Sequence, residues 1–277
     1  MSTFTPQHFT PRHFAELAER IARETGDMLL AERPDDPQVL ATKSSPTDVV
    51  TAFDRAAEEL IRARIAQARP GDRVLGEEGG EDVGTSAVRW IVDPIDGTVN
   101  FLYGLPDWSV SIAVEVDGQV VAGAVNAVPR GELFSAWLGG GAWLRRDGRA
   151  DERLSCNRDV PLNRALVATG FGYEAGRRAV QARVLTTLLP AVGDIRRSGS
   201  CAIDICSVAA GRVDAYYERG VNRWDFAAAG LVATEAGAVL GGLGGAGPSP
   251  EFTLCAGPGL FTELDDLLVP LDPARDA

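Results

Sequence analysis

The spacing of apolar residues changes twice along the chain. Phe14, Leu17, Ala18, Ile21, Ala22, Met28 and Leu29 recur at helical spacing. Thr10-Pro11 supplies a helix start and Pro34 a stop. Residues 1–9 read as a loose tail, and the Pro- and Ser-rich stretch 33–47 as a loop. A second helix is predicted from Asp48 to Ala68, with Val50, Phe53, Ala57, Leu60, Ile61 and Ile65 on its apolar face. The period then shortens. Val88–Val92, Val110–Val116, Val120–Val128 and Leu133–Trp137 are β-like runs, and Asp117-Gly118 and Asp147-Gly148 are hairpin signals. This predicts a mostly antiparallel sheet packed on two helices.

Beyond Arg153 strands and helices alternate. Strands are predicted at Ala165–Thr169, Asp194–Arg197, Val213–Tyr217 and Phe252–Ala256. Helices are predicted at Glu174–Leu189, Cys201–Ala210 and Asp225–Ala236, and Leu260–Leu268 closes the pattern. Such alternation marks an α/β arrangement. Gly241–Pro250 is a Gly/Pro-rich surface loop. The expected organisation is an N-terminal α+β half, residues 1–153, followed by a C-terminal α/β half, residues 154–277.

Composition narrows the chemistry. The chain has 277 residues, 45% hydrophobic and 24% charged, with a net charge of −12. That acidic excess argues against nucleic acid and anionic membranes as partners. It leaves room for a small anionic substrate whose charge is met locally by metal ions. No apolar run approaches the roughly 20 residues of a membrane helix, and Met1–Arg12 lacks a signal-peptide core. Cys156, Cys201, Cys206 and Cys255 form no Cys-x-x-Cys pair and read as reduced and structural, in a cytoplasmic protein.

The only histidines are His8 and His13. A Ser-His-Asp triad or a His-based zinc site is therefore excluded from the body of the fold. Carboxylates, hydroxyls and metal-activated water must carry any proton transfer, and all-oxygen ligation favours magnesium or manganese over zinc.

The most informative segment is Trp90-Ile91-Val92-Asp93-Pro94-Ile95-Asp96-Gly97-Thr98. An apolar strand ends on two aspartates, then on a Gly-Thr pair whose backbone N–H groups can meet an anion. Two decoys fall away. Phosphoaspartyl phosphatases space their aspartates two apart, whereas Asp93 and Asp96 are three apart and, on a regular strand, would face opposite ways. Cys206 and Arg212 have the bare spacing of cysteine phosphatases, but Ser207–Ala210 continue a helix rather than form a loop of N–H donors, which makes Cys206 a buried structural residue.

Gly76-Glu77-Glu78, Asp93-Pro94-Ile95-Asp96-Gly97-Thr98 and Trp224-Asp225-Phe226-Ala227-Ala228-Ala229-Gly230, in this order, resemble the inositol monophosphatase family of magnesium-dependent, lithium-sensitive phosphatases. The likeness runs from about Lys43 to Gly237, with Lys43–Asp48 and Asp214–Glu218 adding detail, and it is closest to bacterial inositol-1-monophosphatases. It implies an α/β chain layered as an αβαβα sandwich, with metals at the junction of its halves. It implies two or three Mg2+ ions, which Mn2+ can replace. Glu77, Asp93 and the Ile95 carbonyl would hold the first, and Asp93, Asp96 and Asp225 the second. A third, weaker ion would sit near Glu77. Thr98 with Asp54 would orient and deprotonate the attacking water, and the Gly97 and Thr98 N–H groups would hold phosphate. Asp96, Glu218 and the Cys201 backbone would meet the alcohol. Inositol 1-phosphate is the leading substrate. Histidinol phosphate, fructose 1,6-bisphosphate and adenosine bisphosphate, cleaved by relatives, are alternatives, and a homodimer is expected. Asp204 reads as structural, while Glu78 and Lys43 each read either as site neighbours or as solvated side chains. The rival from another class is a regulatory protein on the same fold that contacts the transcription machinery.

Overall fold

The first helix, α1 (Pro11–Glu32), runs as its apolar stripe predicts. Thr10 caps it, and His13 closes a capping box. The computed structural model of the chain describes residues 10–33, 39–42 and 49–275, without the side chains of 39–42 and 49–51. The expectations for the tail and for Lys43–Asp48 lie outside the described residues. Next come two short strands, β1 (Val39–Thr42) and β2 (Val49–Thr51), paired with each other. The second helix, α2, spans Ala52–Ala68. It begins later than predicted because the β-branched run Val49-Val50-Thr51 pairs as a strand.

An eight-stranded sheet follows. In chain order its strands are β3 (Arg73–Gly76), β4 (Gly80–Glu81), β5 (Val88–Asp96), β6 (Ser109–Val116), β7 (Gln119–Ala127), β8 (Glu132–Trp137), β9 (Gly141–Arg146) and β10 (Glu152–Arg153). The spatial order is β10-β9-β8-β7-β6-β5-β3-β4. All neighbours are antiparallel except β3 and β5. Asp117 (φ 50°) and Gly118 (φ 83°) both adopt left-handed backbone, as a two-residue hairpin between β6 and β7 requires. A short helix, α3 (Thr98–Tyr103), leaves the end of β5.

The second sheet is mixed. It contains β11 (Leu166–Thr169), β12 (Asp194–Arg196), β13 (Ala215–Glu218), β14 (Val239–Gly241) and β15 (Thr253–Ala256), in the order β12-β11-β13-β15-β14. The remaining helices are α4 (Ala175–Leu188), α5 (Cys201–Ala209), α6 (Arg223–Glu235) and α7 (Pro258–Leu268).

Side-chain alternation stacks these elements into five layers. Trp90 and Val92 of β5 and Ile112 of β6 face the core built with α1 and α2. Ile91 and Ala113 face the opposite core, shared with α5 and α6. On the second sheet, Ala168, Tyr216 and Cys255 face α5 and α6, while Val167, Tyr217 and Leu254 face the core containing Val184 of α4 and Leu260 and Leu264 of α7. The chain is therefore an αβαβα sandwich of the α/β class. The central layer must bury both faces of its helices, which is why α6 reads Phe-Ala-Ala-Ala-Gly. Its approach to β7 is so close that a Cβ on Gly123 would lie 2.9 Å from the Ala228 Cα. That closeness carries the first turn of α6 to the end of β5.

Candidate active site

Asp93 and Asp96 do face the same cavity despite their spacing. Asp93 pairs with Ser111 of β6, and Asp96 with Ser109. Three steps on β5 therefore match two on β6. The extra residue is a bulge, which restores the phase and turns Asp96 back to the side of Asp93. Pro94, which has no N–H for the ladder, lies in the bulge.

Each carboxylate is held by a different element. Asp93, 1% exposed, accepts the Ile95 N–H at 3.0 Å. Asp96 Oδ2 accepts from the Ser200 hydroxyl and from the Ala202 N–H (2.8 Å). Ser200 also caps α5 by accepting the Ile203 N–H at 3.1 Å. Asp225 occupies the third position of α6, where its Oδ2 accepts the Asn222 N–H in a capping box. Ser111 fastens that turn to β6 by donating to the Trp224 carbonyl at 3.2 Å. Asp225 thus caps its helix and also faces the other two carboxylates.

Carboxylate oxygens of Asp93, Asp96 and Asp225 lie within 4.8 Å of one another. Glu77, on the turn between β3 and β4, lines the same cavity. Burial pushes the Asp93 carboxyl well above the usual range, and the like charges of Glu77, Asp96 and Asp225 push it further. Burial raises Asp96 to about 6, against the hydrogen bonds from Ser200, Ala202 and Cys201. Asp225 is raised well above its ordinary value by burial, then by Glu77 and Asp96. Buried carboxylates that repel one another fit a hard metal ion. The donor set is all oxygen, which suits magnesium or manganese.

Thr98 opens α3. Its hydroxyl lies 3.0 Å from Asp54 Oδ1 and 3.1 Å from the Ile95 carbonyl. Asp54 is 1% exposed, in the first turn of α2. Gly97, at φ 95°, sits in left-handed backbone, and a Cβ there would lie 2.8 Å from the Asp107 carbonyl. Both facts require glycine.

The cavity measures about 360 Å³. Cys201 is buried on its wall, and its N–H is among the donors to Asp96. Burial, then the nearby Asp96 and Asp225, keep the Cys201 thiol protonated. Glu218 ends β13, accepts the Tyr216 hydroxyl at 2.9 Å and is pushed up to about 7 by burial. Asp204, expected to be structural, also lines the cavity, and burial raises it to about 7. Cys206 is fully buried in α5 with its thiol pushed far up, as expected of a structural residue.

One site neighbour escaped the sequence reading. Glu58, one turn after Asp54, accepts the backbone N–H groups of Glu78 (2.8 Å) and Gly79 (2.9 Å). On a helix whose other face is apolar, a glutamate looks solvated. Only the spacing of four from Asp54 hinted that it shares that residue's side.

Residues 10–268 match the model of the inositol monophosphatase family. An inositol-1-monophosphatase of Mycobacterium bovis is 45% identical over 269 residues, covering 92% of each chain. A protein of Salmonella typhimurium named Nus factor SuhB is 38% identical over 226 residues, covering 81% of this chain and 83% of that one. The Mycobacterium tuberculosis SuhB structure superposes with a TM-score of 0.82 at 42% identity, covering 96% and 99%. A structure of inositol monophosphate bound SaIMPase-II gives 0.76 at 28%, covering 93% and 94%. The chain belongs to the inositol monophosphatase family and is a phosphatase, a phosphoric monoester hydrolase.

Proposed function

We propose that the enzyme hydrolyses inositol 1-phosphate to inositol and phosphate in a magnesium-dependent reaction. The observation that carries this reading is the convergence of Asp93, Asp96 and Asp225 beside the Thr98–Asp54 pair, in one cavity that Glu77 also lines. Glu77, Asp93 and the Ile95 carbonyl would hold one ion, and Asp93, Asp96 and Asp225 another; a third, weaker ion would sit near Glu77, and Mn2+ would be able to substitute. When bound, such ions supply positive charge to the phosphate oxygens and make water more acidic. Asp54 holds the Thr98 hydroxyl proton, which leaves an Oγ lone pair to accept a hydrogen bond from the attacking water. Gly97 and Thr98 point backbone N–H groups to the phosphate. The water oxygen bonds to phosphorus as the bond from phosphorus to the alcohol oxygen breaks; the attacking water passes a proton to Thr98 as Thr98 passes its own to Asp54, and a solvent water gives a proton to the released alcohol oxygen. Glu218, the Cys201 backbone and Asp96 surround the polyol. The 45% identity to an inositol-1-monophosphatase supports this substrate over histidinol phosphate, fructose 1,6-bisphosphate or adenosine bisphosphate.

Lithium sensitivity, a homodimer, a cytoplasmic location and the absence of nucleic-acid partners complete the proposal. Among the described residues no helix is long and apolar enough to cross a membrane.

Thr98→Ala should lower turnover by about 10²–10⁴-fold, the usual worth of a positioned proton acceptor, while Mn2+ binding stays intact. Phosphate release and a Mn2+ titration check this together. Glu218→Ala tests the substrate. A site that hydrogen-bonds a hydroxyl loses heavily when the bond is lost. The Michaelis constant for inositol 1-phosphate should rise by about tenfold or more, the loss of roughly 1.4 kcal/mol, and that for an aryl phosphate without hydroxyls should barely move. Equal changes on both would remove Glu218 from the polyol site. A panel of inositol, sugar, histidinol and nucleotide phosphates tests the reading itself, with inositol 1-phosphate expected to give the highest kcat/KM.

A further inference from the structure

Glu77 and Glu78 are half-buried, Gly79 and Gly80 are exposed, and no apolar side chain of the turn reaches a core. Strand β4 beyond it is two residues long. Beside the hydrogen bond between the Glu77 and Asp93 side chains, polar anchors from α2 hold the turn.

Glu58 is 3% exposed. One oxygen, Oε2, accepts the Glu78 N–H, and the other, Oε1, accepts the Gly79 N–H. Arg62, one turn further along the same helix face, donates to Glu58 Oε1 at 2.8 Å. The same guanidinium donates to the Gly80 carbonyl (2.7 Å), to Asp82 (2.5 Å) and, at 3.4 Å, to the Val74 carbonyl. The turn is moulded around the carboxylate: a Cβ on Gly76 would lie 2.4 Å from Glu58, and one on Gly79 2.7 Å from its Oε1. The contact therefore begins at the residue before Glu77 and resumes at the residue after it. Asp54 and Glu58 are four residues apart, so one face of α2 supports both the partner of Thr98 and the turn that carries Glu77.

We propose that Glu58 is a positioning residue that fixes the Glu77 backbone against α2 and thereby sets the affinity of the site for divalent cations. This rests on the metal-dependent reading above. Glu58 itself takes no part in proton transfer. A carboxylate suits the task because two backbone donors and one guanidinium converge on it, and only an acceptor with two charged oxygens satisfies all three.

The test uses the full-length protein and Mn2+ as the probe, with free Mn2+ read by electron paramagnetic resonance. Magnesium dependence of phosphate release is measured alongside. Glu58→Gln keeps one acceptor, turns the other into a donor facing an N–H, and removes the charge pairing with Arg62. Mn2+ binding should weaken by about 10–100-fold, the usual effect of losing a group that orients a ligand. The half-saturating magnesium concentration should rise in parallel, while turnover at saturating magnesium falls much less. Gly79→Ala presses a methyl group on the same carboxylate from the other side and should weaken Mn2+ binding in the same direction, so the test survives if Glu58→Gln does not fold. A variant that melts lower yet binds Mn2+ like the wild type would overturn the proposal and leave Glu58 as a brace for the hairpin. Loss of turnover at saturating metal with unchanged Mn2+ affinity would also overturn it. If the wild type itself neither binds Mn2+ nor releases phosphate, the functional reading fails first; if it does both and the variants match it, only the role of Glu58 fails.

Discussion

Asp93→Asn is expected to abolish phosphate release while leaving the fold intact. Asparagine matches aspartate in shape, and its side-chain oxygen can still accept the Ile95 N–H that Asp93 accepts at 3.0 Å. What disappears is one negative charge from the centre of the cluster, at the residue proposed to bridge both main ions. Residues that merely orient a metal ligand are worth about 10–100-fold, so removing the charge of a shared ligand should cost more than about 100-fold. Without metal the variant should melt at or above the wild type, because one of the repelling charges is gone. Phosphate release, circular dichroism and thermal melting in chelator check the three parts. Turnover at the wild-type rate would remove Asp93 from the site.

The second large effect concerns pH. In chelator, the protein should become less stable as pH rises from about 5.5 to 8. Asp93 and Asp225 lie well above the ordinary carboxylate range, Asp96 at about 6, and Asp204 and Glu218 at about 7. Between the unfolded values near 4 and these folded ones, the native state holds protons that the unfolded state has released. Its advantage is therefore full below the unfolded pKa and is lost as pH rises through the folded values. Few other groups titrate in this window, since the chain has only two histidines. A loss of a few kcal/mol corresponds to about 5–10 °C in a protein of this size. Magnesium at pH 8 should restore it, because an ion at 100 times its dissociation constant stabilises the folded state by about 2.7 kcal/mol. At pH 5.5 protons compete for the same oxygens and the magnesium effect should shrink. Melting curves at both pH values, with and without magnesium, decide it. A melting temperature that is flat with pH in chelator, and deaf to magnesium, would mean that these carboxylates neither repel one another nor bind a metal.

Much of this arrangement is legible from single stretches of sequence. The apolar run into Asp93 announces a buried strand end, and Asp117-Gly118 announces a hairpin. The run from Asp225 to Ala236 announces a helix. What the linear pattern hides is relational. Regular strand geometry makes Asp93 and Asp96 diverge, and only pairing with β6 reveals the bulge that reunites them. Strand β3 is four residues long and begins with a half-buried arginine, too little alternation to register. Strand β9 ends in Arg145 and Arg146, whose partners Glu19 and Glu132 come from elsewhere in the chain. Glu58 looks solvated until the hairpin folds over it. Residue type announces a ligand, whereas the groups that hold the ligand in place are visible only in the folded protein.

The most direct test of the central claim is phosphate release from inositol 1-phosphate by the wild-type enzyme, followed in magnesium, in excess chelator, and in chelator with magnesium then restored. The expected result is turnover with magnesium, none in chelator, and full recovery on re-addition. Release at an undiminished rate in chelator would contradict the metal-dependent mechanism. No release under any of the three conditions, from a folded protein that still binds Mn2+, would contradict inositol 1-phosphate as the substrate.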